Sequence, residues 1–205
     1  MTPVLRTGLS ILITTVAVFL AVPTHAESPR ERVTTMLTAV TAVLQDPTAE
    51  GKVQRDQRVR EAIFAGFHFD AMAELSLGPH WQALTPAQRE EFVGVFGNFF
   101  ERSYNRLVLR FFGERTTRYV DESATGDVGI VDTVVESKKD ERLPVRYRLV
   151  YRRDRWGVVD VVLDGISLTE NYRTQFDSVI RRSSYQVLVQ RMKAKVGGEE
   201  EVSRP

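Results

Sequence analysis

Trp156-Gly-Val-Val-Asp-Val-Val-Leu-Asp-Gly-Ile-Ser-Leu-Thr-Glu-Asn-Tyr-Arg-Thr-Gln-Phe176 holds two periodicities joined by a break. Its first half is almost wholly β-branched and alternating, which is the chemistry of a strand. Asp164-Gly165 interrupts it, because glycine accepts the backbone angles of a sharp turn. Ser167 then stands three residues before Glu170, the capping-box spacing that satisfies the free amides at a helix start. Tyr172, Phe176 and Ile180 follow at four-residue steps, so they line one face of that helix and turn back toward the strand. The stretch predicts a strand, a corner and a capped helix.

Upstream of it, the period is 2 from Arg115 onward. Strands are predicted at 115–121, 126–137, 143–153 and 155–163, with turns at 123–126, 138–142 and Asp154-Arg155. Val145, Tyr147, Leu149 and Tyr151 share one face, with Arg146, Arg148 and Arg152 on the other. Short turns between neighbouring strands imply an antiparallel meander. One apolar face under helices and one charged face make the fold class α+β.

Before residue 115 the period is helical. Val33, Met36, Leu37, Val40, Val43 and Leu44 mark a helix over 30–46, ended by Asp46-Pro47. A second spans 52–66, and a short third runs from near Asp70 to Leu77, stopped by Gly78-Pro79. Thr85-Pro86-Ala87-Gln88 starts a long fourth helix, with a cap, a proline at the first position and Gln at the capping-box site. It runs to about Phe112. Six of the eleven phenylalanines fall between 92 and 112, a wider apolar face than one packing stripe needs. That face is either buried on two sides or lines a cavity for an apolar ligand. A last helix is predicted over 184–196, and 197–205 reads as a flexible tail.

Met1 to Ala26 reads as a secretory signal peptide: Arg6, an apolar run from Gly8 to Val22, and Thr24-His25-Ala26 as the cleavage site. About 15 apolar residues are too few to span a bilayer. The expected product is soluble, with one domain over 27–196. The whole chain carries a formal charge of +1, and loss of Arg6 brings it to zero. A nucleic-acid binder would carry a clustered basic excess. Cysteine is absent, which removes disulfides, thiolate metal sites and cysteine nucleophiles.

No catalytic set emerges. His68 and His80 fit no common metal-ligand spacing, and neither a nucleophile elbow nor a phosphate loop is present. Asp160 and Asp164, four apart, are expected to share a face; they either form an acid/base pair or cap the turn. Arg173 either meets a phosphate at a pocket mouth or pins the turn through Asp160 or Asp164. Asn171 and Gln175 read as buried polar stitching. The expectation is a binding protein with no enzyme activity, no cofactor and no metal.

Asp164-Gly165-Ile166-Ser167-Leu168, Asn171-Tyr172-Arg173 and Gln175-Phe176 resemble the signature of the MlaC family, periplasmic phospholipid-binding proteins once called toluene-tolerance proteins. Phe67-His68-Phe69-Asp70-Ala71-Met72-Ala73, Leu77-Gly78, Trp81 and Thr85-Pro86-Ala87-Gln88-Arg89-Glu90-Glu91-Phe92 are similar to that family's other landmarks, in the same order. The resemblance covers roughly residues 30 to 195. It implies a soluble periplasmic carrier of a Gram-negative bacterium that takes phospholipid as cargo, acyl chains held in a cavity between helices and sheet. It implies as partners an inner-membrane ABC transporter with a ring of MCE domains and an outer-membrane lipoprotein–porin complex, the carrier itself being a monomer that maintains outer-membrane lipid asymmetry. Periodicity and aromatic density select Phe69, Met72, Phe96, Phe99, Phe100, Tyr104, Tyr147, Leu149, Val161, Ile166, Leu168 and Phe176 as the cavity wall. The alternatives are a carrier of another apolar lipid, such as a hopanoid, and a pocketed enzyme of the ketosteroid-isomerase-like kind with Asp160 or Asp164 as base.

Overall fold

Four of the six α-helices begin where a side chain accepts from a free amide, whereas the second and third start without a side-chain cap. The computed structural model describes residues 27–46, 51–112, 116–136 and 141–202. Helix α1 (Pro29–Gln45) opens on a complete capping box, with Ser28 Oγ accepting from the Glu31 amide at 3.1 Å and the Glu31 carboxylate from the Ser28 amide at 2.7 Å. Ser28-Pro29-Arg30-Glu31 is the sequence form of that cap. Helices α2 (Lys52–Phe64) and α3 (Phe69–Leu77) follow, then a 3-10 turn (Gly78–Ala83) and the long α4 (Pro86–Phe112). At α4, Gln88 Oε1 accepts from the Thr85 amide at 2.9 Å and Thr85 Oγ1 from the Gln88 amide at 3.3 Å, the predicted box.

The sheet is a five-stranded antiparallel meander in the order β1 (Thr116–Thr125), β2 (Val128–Glu136), β3 (Arg142–Arg152), β4 (Arg155–Leu163) and β5 (Ile166–Ser167). Two helices end the described chain, α5 (Leu168–Arg182) and α6 (Tyr185–Val202). The fold class is α+β, as the alternation implied. Val131, Val135, Tyr147, Leu149, Trp156 and Val158 are buried on the sheet's inner face. Helices α1, α3 and α5 rest on the sheet, while α4 packs against α2, α3 and α6.

Several boundaries differ from the expected ones. Strand β1 continues beyond residue 121, past an irregularity in register between Tyr119 and Asp121 that leaves Val120 unopposed and 55% exposed. A bulge lets a strand keep pairing while it re-aims its side chains. The β3–β4 hairpin turns at Arg153-Asp154, with φ of 54° and 58°, the left-handed pair of a tight hairpin. Asp164 (φ 47°) and Gly165 (φ 81°) form a second such turn, so the corner is a hairpin onto β5 before α5 begins. Helix α6 continues to Val202, six residues beyond the expected Val196 and into the segment read as a tail; Glu199–Glu201 are good helix formers and offset Gly197-Gly198. Residues 1–26, read above as a signal peptide, residues 137–140, where a turn is expected, and the terminal 203–205 lie outside the described residues.

The free edge of β4 is covered by the α2–α3 connector. The His68 amide donates to Val158 O at 3.0 Å, the Val158 amide donates to Gly66 O at 2.9 Å, and Phe67 and Val158 form a parallel bridge. Arg155 clamps the same connector by donating to Ala65 O at 3.2 Å and Phe67 O at 3.1 Å. Gly157 belongs to this junction: a Cβ there would collide with the His68 ring.

Candidate functional site

The aromatic residues of four segments meet in one continuous belt. On α4, Phe92, Phe96 and Phe100 are fully buried and follow each other at centroid spacings of 5.9 and 6.0 Å. Helix α5 sets Tyr172 edge-on to Phe96 at 5.6 Å and Phe176 edge-on to Phe92 at 6.0 Å. From the other side the connector and α3 bring Phe67 and Phe69, stacked at 5.6 Å, to within 5.9 Å of Phe100. Phe64 of α2 closes this end. Edge and offset contacts of this kind are the favoured aromatic geometries. The wide face of α4 is thus occupied by rings from α2, α3 and α5.

The expected wall residues divide into three groups. Met72, Phe96, Phe100, Tyr147, Leu149, Val161, Leu168 and Phe176 are buried members of one apolar cluster. Phe69 and Phe99 are partly buried and pack on that cluster; Phe99 meets Tyr172 edge-on at 5.7 Å and lies under the Lys195 ammonium at 5.2 Å. Ile166 departs from the expectation. It is 63% exposed, because β5 pairs only through Leu163↔Ile166 and Val162↔Ser167 at the sheet margin. The side chain of Tyr104 lies outside the described residues. Phe92 and Tyr172 join the belt without having been selected, although their four-residue steps to Phe96 and Phe176 held the signal. Phe67, in a connector with no period, gave none.

Tyr147 is buried on the inner face of the sheet, beside Tyr119 and Thr133. Burial pushes its ionisation far above the usual tyrosine value, the nearby Tyr119 adds to the shift, and a hydrogen bond with Thr133 partly offsets it. Thr133 Oγ1 donates in turn to Val145 O at 3.1 Å.

The two aspartates do not share a face. Asp160 is 1% exposed and serves as a structural acceptor: Ser167 Oγ donates to Oδ2 at 2.7 Å and the Thr169 amide to Oδ1 at 3.0 Å. Arg148, directly across the β3–β4 pair, lies at 3.6 Å. Asp164 is exposed in its turn. Ser167 Oγ also accepts from the Glu170 amide at 3.1 Å, so one hydroxyl links the last strand, the buried carboxylate and the start of α5. An acceptor occupied by an amide and a hydroxyl is poorly placed to take a proton from a substrate.

Arg173 does not pin this turn. Its guanidinium lies over Gly78, and Arg148 is the residue that meets Asp160. Asn171 and Gln175 are exposed and bond to each other at 3.1 Å along α5, which corrects their reading as buried stitching. The histidines occupy separate places. His68 is buried, its Nε2 3.3 Å from Arg155 O, and burial holds its pKa below the ordinary value. His80 Nε2 lies 2.8 Å from Asp177 Oδ1, which also accepts from Arg181 Nε at 2.9 Å; these two bonds hold the Asp177 carboxyl below the usual carboxylate range. Among the described residues no group of three metal-ligating side chains comes together.

A family model described as MlaC protein matches residues 34–194. The chain belongs to the MlaC family. Among solved structures, this MlaC chain is similar to the phospholipid-binding protein from Ralstonia solanacearum, determined in complex with a phospholipid. The two share 24% identity with a TM-score of 0.71, over 84% of this chain and 98% of the other. At that identity the likeness establishes the fold. No curated protein shows significant similarity to this MlaC chain. Among its described residues, no helix is long and apolar enough to cross a membrane.

Proposed function

We propose that this protein is a periplasmic phospholipid carrier, passing lipid between an outer-membrane lipoprotein–porin complex and an inner-membrane ABC transporter with an MCE-domain ring. The observation that carries the reading is membership of the MlaC family across residues 34–194. It is supported by a neighbour of the same fold that holds a phospholipid, and by the aromatic belt between α3, α4 and α5. Family and neighbour both favour a binding protein over an enzyme, and Asp160, the buried one of the two aspartates considered as a base, is occupied as a cap.

The mechanism needs no covalent step. Two acyl chains of about 15 methylenes each gain on the order of 20 kcal/mol on leaving water, before ordering costs. Escape of such a lipid into solvent is therefore slow, and handover takes place on contact with a partner. The chains enter by parting the rings of α5 from those of α4 and α3, with Phe69, Met72, Phe96, Phe99, Phe100 and Phe176 as their nearest wall. Apolar contact of this kind selects for chain number and length more than for head group.

The test is native mass spectrometry of the mature protein purified from periplasm, followed by lipid extraction. Near-stoichiometric diacyl or tetra-acyl phospholipid is the expected result. A hopanoid in its place would keep the carrier and change its cargo. A protein that is empty, and stays empty after mixing with liposomes, would overturn the proposal.

A further inference from the structure

Helix α3 carries one polar group on an otherwise apolar inner side. Met72, Ala73, Ser76 and Leu77 are each no more than 1% exposed, and their spacing puts them on one side of the helix. That side faces α4, α5 and β4, the surroundings of the aromatic belt. Ser76 Oγ has no hydrogen-bond partner. Three other buried atoms among the described residues share this condition, the Nε atoms of Arg32, Arg55 and Arg60. Those belong to long cations that are partly exposed, and two of them are ion-paired, Arg32 with Glu27 at 2.7 Å and Arg60 with Glu101 at 2.8 Å. Ser76 is different: the whole residue is 0% exposed.

A buried hydroxyl left without an acceptor is costly, and nearly all such groups in native proteins find a partner. The backbone carbonyl one turn back on α3 is available in principle to a helical serine, and Ser76 Oγ does not use it. An alanine at this position would fill nearly the same space without the penalty.

We infer that Ser76 is a ligand-binding residue, whose hydroxyl donates a hydrogen bond to an ester carbonyl of a bound diacyl glycerolipid. The inference rests on the phospholipid-carrier reading and adds a polar recognition point to it. An ester carbonyl fits the surroundings better than a phosphate does. It is neutral and accepts a single hydrogen bond, whereas an ionised phosphate at a fully buried apolar position would lose its hydration with no cation to compensate. A site of this kind favours ester-linked cargo over hydrocarbons that lack a carbonyl, such as a hopanoid.

The experiment uses the delipidated mature protein and its Ser76→Ala variant. Each is titrated with a diacyl phosphatidylcholine and with the matching dialkyl ether, which has the same chains and head group but no carbonyls. Wild type should bind the diester about fivefold more tightly than the diether, the worth of one neutral hydrogen bond, and Ser76→Ala should bind both equally at the diether level. In the lipid-free state Ser76→Ala should melt at or above the wild-type temperature, because it removes an unpartnered polar group. An unchanged diester preference in the variant, or none in wild type, overturns the assignment. So does a lipid-free variant that melts lower, which would mean the hydroxyl is bonded within the protein. If neither lipid binds wild type, the carrier reading fails along with it.

Discussion

Asp160 shows how a single carboxylate can be mistaken for chemistry. It stands one strand position from the solvent-facing arginines of β3, yet its two oxygens are used by Ser167 Oγ and the Thr169 amide. Asp160→Ala leaves that amide buried without an acceptor and removes two charge-assisted hydrogen bonds, a loss of about 3 kcal/mol. In a domain of this size thermal unfolding should then move down by roughly 10 °C. Asp160→Asn keeps an acceptor for Thr169 and should fall between the two. The half-exposed Arg148 adds little, since such pairs are screened by solvent. Lipid binding by Asp160→Asn should persist, which a base-catalysed enzyme reading would not predict for turnover.

His68 makes a second prediction of the same kind. Its pKa is lowered from 6.5, burial being the largest cause, so the folded protein keeps the imidazole neutral under the Gly157 backbone. The unfolded chain takes up the proton at the ordinary value. Stability from this group is therefore fully present above about pH 6.5 and declines as pH falls below it. Denaturant unfolding of wild type at a series of pH values between about 8 and 5 should show that slope, and His68→Gln should flatten it. Asp177 acts lower on the scale: its lowered pKa means that its contribution is present above the usual carboxylate range and is lost in more acid solution.

Helix α4 places the phenylalanines of one run in different surroundings. Phe96 is 0% exposed and in ring contact with Phe92, Phe100, Tyr172 and Phe176. Truncation to alanine leaves a large hole among rigid rings and should cost about 3–5 kcal/mol. Phe99 is partly buried at the rim, between Tyr172 and Lys195. Phe99→Arg should leave circular dichroism and cooperative melting intact while abolishing retention of lipid through purification. Unfolding of that variant would make Phe99 a core residue and move the lipid elsewhere. Under the carrier proposal the roles of these rings differ by which neighbours each one meets and not by residue type.

At the level of the assembled domain, the carrier has to be stable when empty and more stable when loaded. Ligand that binds only the folded state adds stability with the logarithm of its concentration relative to Kd, about 4 kcal/mol at a thousandfold excess. Lipid-loaded protein should accordingly melt some 10 °C or more above the delipidated form, and the gap should shrink for Phe99→Arg. The proposed route of loading requires the ring contacts between α4 and α5 to open. Amide exchange along α5 should be faster in the empty protein than in the loaded one.

Secondary structure, caps and order of elements follow from the chain locally, because each depends on residues within a turn or two of each other. Ser28 with Glu31, Thr85 with Gln88 and Ser167 with Glu170 start their helices from three-residue spacings. The switch from helical to alternating period marks the sheet in the same way, and short turns make it a meander. The α+β class and the family motifs were legible for that reason. What joins distant residues was not. Register irregularities at Val120 and between Arg148 and Leu149, the bridge from Phe67 to Val158, and Ile166 at an open margin are all set by how elements meet. The use of Asp160 as a cap depends on β4 and α5 arriving together. Arg173 belongs to Gly78 because the 3-10 turn docks on α5. Periodicity identifies which side of a helix is apolar, and only tertiary packing decides whether that side meets a sheet, another helix or a ligand, since the hydrophobic effect rewards all three alike.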